Sequence, residues 1–294
     1  MLRKLMTRLC VGAVLVLTAL SPARSLQAQG IALTGVGPVN RSMGGAGTAA
    51  PLDAIGALHW NPGSISALQG NEIGFGTELL SASITLSSDF TGVGGGAGST
   101  NADAGWAAVP SIGWVHHLDG THMTIGLGVY GVAGFKNNMP FDAANPVLSN
   151  AGPFAGIGPA FGSAEILQIT PTLSYQLTDR LSVGLSPTIT TETVVLDPLG
   201  PPVTTAVTDA QGNRMHWGGG FQVGAYYRSE YGINAGATFK SKQWIETLDF
   251  QTAGGRVTFN LDYPAIVSLG LSYTGMENWT FAIDGRYFDY EHTD

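Results

Sequence analysis

In the segment ILQITPTLSYQLT, Leu167, Ile169, Leu173, Tyr175 and Leu177 take alternate positions, and Gln168, Thr170, Thr172, Ser174 and Gln176 fill the places between. Successive side chains of an extended strand point to opposite faces, so this segment presents one oily face and one wet face. LSVGLSPTITTE repeats the pattern, with Leu181, Val183, Leu185 and Ile189 opposed to Ser182, Ser186, Thr188, Thr190 and Glu192. GINAGATFKSK sets Ile233, Ala235, Ala237 and Phe239 against Asn234, Thr238 and Lys240, and MTIGLGVYGVAGF carries Met123, Ile125, Leu127 and Val129 in phase. From Val257 to Tyr273 every odd position is apolar. These runs last about 12 to 18 residues, whereas strands of soluble proteins centre near five or six. About nine to eleven tilted residues are enough to cross a bilayer.

The first residues, MLRKLMTRLCVGAVLVLTALSPARSLQAQG, have a basic start (Arg3, Lys4, Arg8), an apolar core from Leu9 to Leu20 and a small-residue cleavage signal at Leu26-Gln27-Ala28. This is the layout of a secretory leader, assigned to residues 1–28. Cys10, the single cysteine, lies inside it, so the mature chain is expected to hold no thiol, disulfide or cysteine-bound metal. The leader removes four of 13 basic residues, leaving 9 against 21 acidic ones and a net charge near −12. That sign argues against nucleic acid, which is held by neutralising phosphates.

Beyond the leader no apolar run reaches 18 residues, yet only 12% of residues are charged and mean hydropathy is +0.16. A soluble surface usually carries about twice that charge. Apolar residues spread over alternating strands are how a membrane β-barrel meets both conditions. An exported soluble sandwich also alternates, but two further features separate them. Trp106, Trp114, Tyr175, Trp217, Tyr227, Trp244, Tyr273 and Trp279 gather near strand ends, as in an interfacial girdle. Short turns near 118–122, 177–181, 228–232 and 274–279 also alternate with longer links at about 88–105, 135–164 and 197–214, and a shorter one at 251–255.

The expected fold class is therefore all-β, a transmembrane antiparallel β-barrel. About nine strands are read, at 71–87, 106–118, 122–135, 164–178, 180–195, 214–228, 231–250, 255–274 and 278–290. Nine is odd, and bacterial single-chain barrels use even numbers. The end, YEHTD, lacks a closing aromatic residue, so residues 71–294 are read as an incomplete barrel and the chain as a fragment.

Before the first strand, residues 29–70 have another character. Ala49 to Leu58 is small and helical in spacing, with Asp53 at the helix start. Asn61-Pro62 stops that helix, because proline removes a donor and restricts its predecessor. Ser64 is placed to cap a second short helix through Leu68. Small, mildly apolar sequence of this kind suits the filling of a lumen.

RSMGGAGTAAPLDAIGALHWNPGSISAL resembles the N-terminal hatch of the FadL/TodX-type outer-membrane transporters of long-chain fatty acids and hydrocarbons (OmpP1/FadL/TodX), where a glycine-rich run, an Asp, an aromatic residue and Asn-Pro-Ala follow one another. ITPTLSYQLTDRLSVGLSP, MHWGGGFQVGAYYRSEYGINAGATFKSK and YPAIVSLGLSYTGMENWTFAIDGRYFDY extend the likeness over most of the chain from Gly30. Gly63 stands where the family usually has Ala. The resemblance implies a monomeric outer-membrane barrel of about fourteen strands, stoppered by a hatch in which Asp53, Trp60, Asn61, Pro62 and Gly63 gate the lumen. It implies passive, ligand-gated uptake of fatty acids or hydrocarbons, collected by outer loops and released sideways at a kinked third strand. Membrane lipid would surround the barrel.

Two features of the residues themselves fit. FKNNMPFDAANPVLSNAGPFAGIGPAFG is apolar for an outer loop, which makes Phe135, Met139, Phe141, Leu148, Phe154 and Phe161 candidate ligand contacts. Gly126, Gly128 and Gly131 interrupt the third strand, where glycine favours a bulge or bend. Arg41, Arg214, Lys240 and Arg286 would meet a ligand carboxylate if they face the lumen. No cofactor or metal is called for. His116, His117 and His122 are close in sequence but alternate in direction, and GVGGGAGST lacks the lysine of a phosphate loop. No G-x-S-x-G elbow marks a nucleophile, so a barrel hydrolase is the weak enzymatic rival. An open diffusion porin or a structural barrel is the rival from another class.

Overall fold

The structure is a computed structural model that describes residues 32–93, 95–149, 156–197, 214–252 and 255–293. The leader assigned to residues 1–28 lies outside them. The described chain opens with two short α-helices, α1 (Pro38–Ser42) and α2 (Ala54–Trp60), and a 3-10 turn, Pro62–Ala67. Proline at the first turn of α1 sets its φ at no hydrogen-bond cost. Asp53 caps α2, its carboxylate accepting the Gly56 N–H at 3.1 Å. The 3-10 turn is capped by the Asn61 side chain, which accepts the Gly63 N–H at 3.0 Å, and not by Ser64. Ser64 Oγ instead donates to the Asn61 carbonyl at 2.8 Å, closing the turn from within.

Strands follow: β1 (Glu72–Ser81), β2 (Thr85–Asp89), β3 (Ala97–Asn101), β4 (Trp106–His117), β5 (Met123–Met139), β6 (Ala160–Gln176), β7 (Leu181–Asp197), β8 (His216–Arg228), β9 (Ile233–Lys240), β10 (Trp244–Ile245), β11 (Leu248–Thr252), β12 (Gly255–Phe259), β13 (Ala265–Met276) and β14 (Trp279–Asp289). Nine of them form one antiparallel wall in the order β1-β4-β5-β6-β7-β8-β9-β13-β14, with β10 added to β8. β2 pairs only with β3, and β11 only with β12. The wall curls around the hatch, which touches strands from β1 to β14. Among the described residues no helix is long and apolar enough to cross a membrane.

The alternation reads outward-apolar and inward-polar. Leu185, Leu269, Leu271 and Ile283 are each more than half exposed, while Thr170, Ser174, Ser186 and Thr190 have no exposure. A water-soluble sandwich would show the reverse. Seven of the eight girdle aromatics are exposed, and Tyr273 is half-buried. Every short turn joins strands at one end of the wall, and β1 begins at that same end, where Glu72 pairs with Val115 near the end of β4. The hatch therefore joins the wall at the short-turn end.

Several strand boundaries depart from expectation. The strand expected over 71–87 ends at Ser81, and Thr85–Asp89 turns away to pair with β3. The third strand continues to Met139 rather than 135. The strands expected over 231–250 and 255–274 are shortened to β9 and β13, because residues 241–252 and 255–264 fold back instead of extending the wall. Tyr263 bridges to Gln243 and is fully buried, although it shares the odd phase of outward-facing Val267 and Leu269. Pro264 follows it, has no N–H for a ladder, and marks where the phase inverts.

Candidate functional site: a seated hatch beside a parted wall

Asn61 is the centre of the hatch seat. Its Nδ2 donates to the Thr48 carbonyl at 2.7 Å and to the Ala225 carbonyl of β8 at 3.0 Å, tying hatch to hatch and hatch to wall. The Gly63 carbonyl accepts from Ser182 Oγ at 2.7 Å and Ser174 Oγ at 3.2 Å. Gln222 Nε2 donates to the His59 carbonyl at 3.0 Å, and Ser272 Oγ to the Ala49 carbonyl at 2.6 Å. Asp284 of β14 accepts from the Gly47 and Thr48 N–H groups at 2.8 and 2.9 Å. Arg286 donates to the Gly45 carbonyl at 2.6 Å and lies 3.4 Å over the Trp60 ring. Trp60 Nε1 in turn donates to Asn40 Oδ1 at 2.9 Å. Polar inward positions of the wall thus satisfy the irregular backbone of the hatch, which would otherwise be buried unpaired.

Close approach makes this possible. A Cβ at Gly184 would stand 2.3 Å from the Pro62 carbonyl carbon, and one at Gly224 would stand 2.2 Å from Asn61 Oδ1. At Gly63 an added Cβ would meet the Gly224 carbonyl oxygen at 2.9 Å. The departure from Ala at this position therefore matters locally: here hatch and wall lie too close for a methyl group without a shift.

On the other side of the hatch the wall parts. β4 and β5 pair from His117↔Thr124 to Ser111↔Tyr130 and no further, although both strands continue. The next position of β4 is Pro110, which has no N–H to give, and the next of β5 is Gly131. The β5–β6 register shifts between Gly131 and Ala133, and residues 130–133 are all buried, so the alternation breaks here. Above Tyr130 the partner of β5 is the start of the hatch: the Leu33 N–H donates to the Val132 carbonyl at 2.8 Å, and Ala32 bridges Ala133. Higher still, Asp103 N–H donates to the Asn138 carbonyl at 2.7 Å and closes the top. The result is a window in the wall backed by residues 32 and 33. Tyr130, Val132, Ile166 and Tyr263 are fully or almost fully buried on its inner side, and the His59 ring meets Tyr130 edge-on at 5.2 Å.

The residues singled out in the sequence fall as follows. Asp53, Trp60, Asn61, Pro62 and Gly63 lie together in the seat. Burial of the Asp53 carboxyl pushes its pKa up from 3.8, opposed by the Gly56 N–H. Gly131 sits at the bulge, whereas Gly126 and Gly128 lie in regular pairing, under Leu58 and beside Tyr130. Phe135, Met139 and Phe161 share the upper β5–β6 hairpin; Met139 is buried and Phe135 exposed. Phe141 is exposed and Leu148 fully buried on the loop beyond; Phe154 lies outside the described residues. That loop forms an outer lobe with β2–β3, where Asp142 Oδ2 accepts from Thr100 Oγ1 at 2.6 Å and Asn145 Nδ2 donates to the Leu86 carbonyl at 3.1 Å. The Thr100 hydroxyl, then the Ala144 N–H, hold the Asp142 pKa below its ordinary value.

Of the four candidate carboxylate receivers, Arg41 pairs with Glu78 and Arg286 with Asp284. Arg214 is exposed at the start of β8. Lys240 is buried, donating to Gln168 Oε1 at 3.1 Å and lying 3.4 Å from His59 Nδ1. The three histidines separate: His116 stacks on Trp114, His117 meets Thr124, and His122 meets Tyr175. Asn40, Glu72, Gln222 and Asp284 were missed by the sequence reading. Inward phase marks Gln222 and Asp284 as lumenal, but nothing in the sequence says which lumenal polar group meets the hatch.

A family profile described as "Outer membrane protein transport protein (OMPP1/FadL/TodX)" matches residues 14–293. The chain belongs to this family and is an outer-membrane β-barrel protein. Among solved structures it is similar to the P. putida toluene transporter TodX, with 18% identity and a TM-score of 0.69 over 89% of this chain and 72% of that one. The Ralstonia pickettii toluene transporter TbuX gives 19% and 0.65 over 87% and 72%. A Pseudomonas aeruginosa FadL homologue gives 12% and 0.63 over 89% and 70%. At such identities the likeness shows the fold. No curated protein matches the chain.

Proposed function

We propose that this member of the OMPP1/FadL/TodX family takes up hydrophobic small molecules, hydrocarbons or long-chain fatty acids, across the outer membrane without coupled energy, and releases them sideways through the β4–β5 window. The observation that carries the reading is the parted wall backed by Ala32 and Leu33. A barrier that gives way must have few bonds to break, and the backbone bonds across this one, among the described residues, are those of Ala32 and Leu33.

Each buried CH₂ contributes roughly 0.8 kcal/mol, so apolar surface alone extracts such ligands from dilute solution. The outer lobe, with Phe135, Met139, Phe141, Leu148 and Phe161, is the proposed collecting surface, and Phe154, outside the described residues, stays a candidate from the sequence. The ligand then passes to the apolar side of Tyr130, Val132 and Tyr263. Displacement of residues 32 and 33 from β5 is the two-state element, while Asp53, Trp60, Asn61, Pro62 and Gly63 keep the rest of the hatch seated. A ligand with an acid head would meet Lys240, which has no carboxylate partner among the described residues. In this reading residues 1–28 are a leader, 29–70 the hatch and 71–294 wall strands of a monomer, and no step requires a cofactor or catalytic residue.

The test is purified protein in planar bilayers together with uptake by cells that make it. Low conductance with saturable uptake of a labelled alkane, aromatic or fatty acid is expected. Steady open conductance without saturable uptake would leave only a porin.

A further inference from the structure

On the inward face of the wall a carboxyl group has nothing to meet. Glu192 of β7 follows Thr188 and Thr190 in the lumenal phase and is fully buried. Neither of its carboxyl oxygens has a hydrogen-bond partner among the described residues. Opposite it in the ladder stands His216 of β8, only 5% exposed, whose Nδ1 is likewise buried and unpartnered. Paired residues of neighbouring strands share a face, yet no hydrogen bond or ion pair joins these two side chains. Just below, Thr188 and Thr190 both donate to Gln243 Oε1. The lumenal polar groups of β7 are thus satisfied up to Thr190 and orphaned at Glu192. Buried polar groups left without partners are costly, so two of them facing one space mark a place where something else supplies the bonds.

The surroundings select what that is. Asp262 acts electrostatically on Glu192 and is itself paired with Lys242 at 2.9 Å. Arg214 and Glu246 both act on His216. Charges of both signs surround the pair, so neither an anionic nor a cationic head finds an unopposed partner. A hydroxyl both donates and accepts, and it bonds a carboxyl group and an imidazole nitrogen in either protonation state.

The pair also lies at the height of the window. Ala133, which Ala32 bridges, pairs with Ile166, Ile166 with Glu192, and Glu192 with His216. Two strand spacings, about 10 Å, separate Glu192 from Ala133, and Ile166 between them packs with Tyr130 and Val132. Ala164 and Val194, the next inward pair above, pack with Leu248 and Phe250 into an apolar roof.

We propose that Glu192 and His216 form a subsite for the hydroxyl of a hydrophobic alcohol or phenol, whose apolar body lies on Ile166 toward Tyr130 and Val132. The inference rests on the uptake reading above and narrows its substrate class. A hydroxylated hydrocarbon is held at the height of the exit, while a plain hydrocarbon passes without that hold.

Binding of p-cresol and of p-xylene, in which a methyl replaces the hydroxyl, tests this by equilibrium dialysis of the full chain against matched micelles. E192L is expected to lower p-cresol affinity about tenfold while p-xylene stays within about twofold. E192Q, whose amide also donates and accepts, retains most of the p-cresol affinity. H216L lowers it several-fold, and decides the matter if E192L does not fold. An equal loss of both probes overturns the subsite, and so does p-cresol binding that H216L leaves unchanged, since water alone would then fill the pair. The dialysis involves no transport, so the two readings fail separately: steady open conductance would sink uptake and leave this contrast standing.

Discussion

The two sides of the hatch are held in opposite ways. Toward β6, β7, β8, β13 and β14 it is bolted: Asn61, Gly63, His59 and Ala49 exchange hydrogen bonds with Ala225, Ser182, Gln222 and Ser272 over glycines too close for any side chain. Toward β5 it packs through Leu58 and His59, and its backbone bonds among the described residues are those of Ala32 and Leu33, in front of strands that have stopped pairing. Backbone groups buried in a membrane protein need partners, and here the polar wall supplies them on one side while the hatch itself supplies them on the other. A plug so arranged is released most readily at its β5 edge. The sequence reading placed the moving part at Asn61-Pro62; the proposal above starts the movement at residues 32 and 33, and the variants below distinguish the two.

The contrast is broken most severely by adding volume to the seat. Leucine at Gly184 meets the Pro62 backbone, and overpacking of this kind costs typically 1–3 kcal/mol and here about the upper end, since backbone cannot turn aside. Such a variant is expected to lose the hatch from its seat, read as a rise in single-channel conductance and a lower melting temperature.

Asn61→Ala removes the caps of the Thr48 and Ala225 carbonyls and the Gly63 N–H. An orphaned buried group costs about 1–3 kcal/mol, and the loss is expected to appear as faster hydrogen exchange at Gly63 with the β4–β5 pairs unaffected. Equal loosening of both regions would show that they are one unit.

Lys240→Met tests the upper seat by ligand class. Fatty-acid uptake is expected to fall several-fold while alkane or toluene uptake stays within about twofold, because only the acid has a charge to place. A uniform fall would mean that Lys240 acts through His59 and Gln168.

The smallest expected effect is in the outer lobe. The Asp142 pKa is held below 3.8 by Thr100 and Ala144, so its contribution to docking is present above that value and lost as pH falls through the lowered one. Proteolysis of the 142–149 loop should therefore quicken only below about pH 4, and not in Asp142→Asn.

Much of this was legible in residue order. Leu/Ile/Val against Ser/Thr at period two fixes which face of β6, β7, β8 and β13 is outward, because a one-residue slip would put every polar group in lipid. Asp53 and Asn61-Pro62 mark the ends of α2 by their own chemistry. The departures arise where period two is silent. SITLSSDF alternates as well as a wall strand does, yet it turns off into the β2–β3 lobe, since a hairpin alternates too. Tyr263 keeps the odd phase by count but points inward, because the chain between β9 and β13 folds back before it. The window had a signal in Pro110, but a weak one: Pro171 also sits in the wall, and pairing resumes past it at Leu173↔Leu185. What separates them is the bulge opposite and the hatch residue that fills in, and both belong to tertiary structure.

A cross-link over the window addresses the lateral route most directly. A Cβ at Gly131 would lie 3.8 Å from that of Val109, the mean separation in disulfides, and Cys10 is the single cysteine of the chain. In V109C/G131C the oxidised form is expected to lose ligand uptake and the reduced form to regain it, with conductance low in both. Uptake that continues unchanged with the disulfide closed would contradict release between β4 and β5.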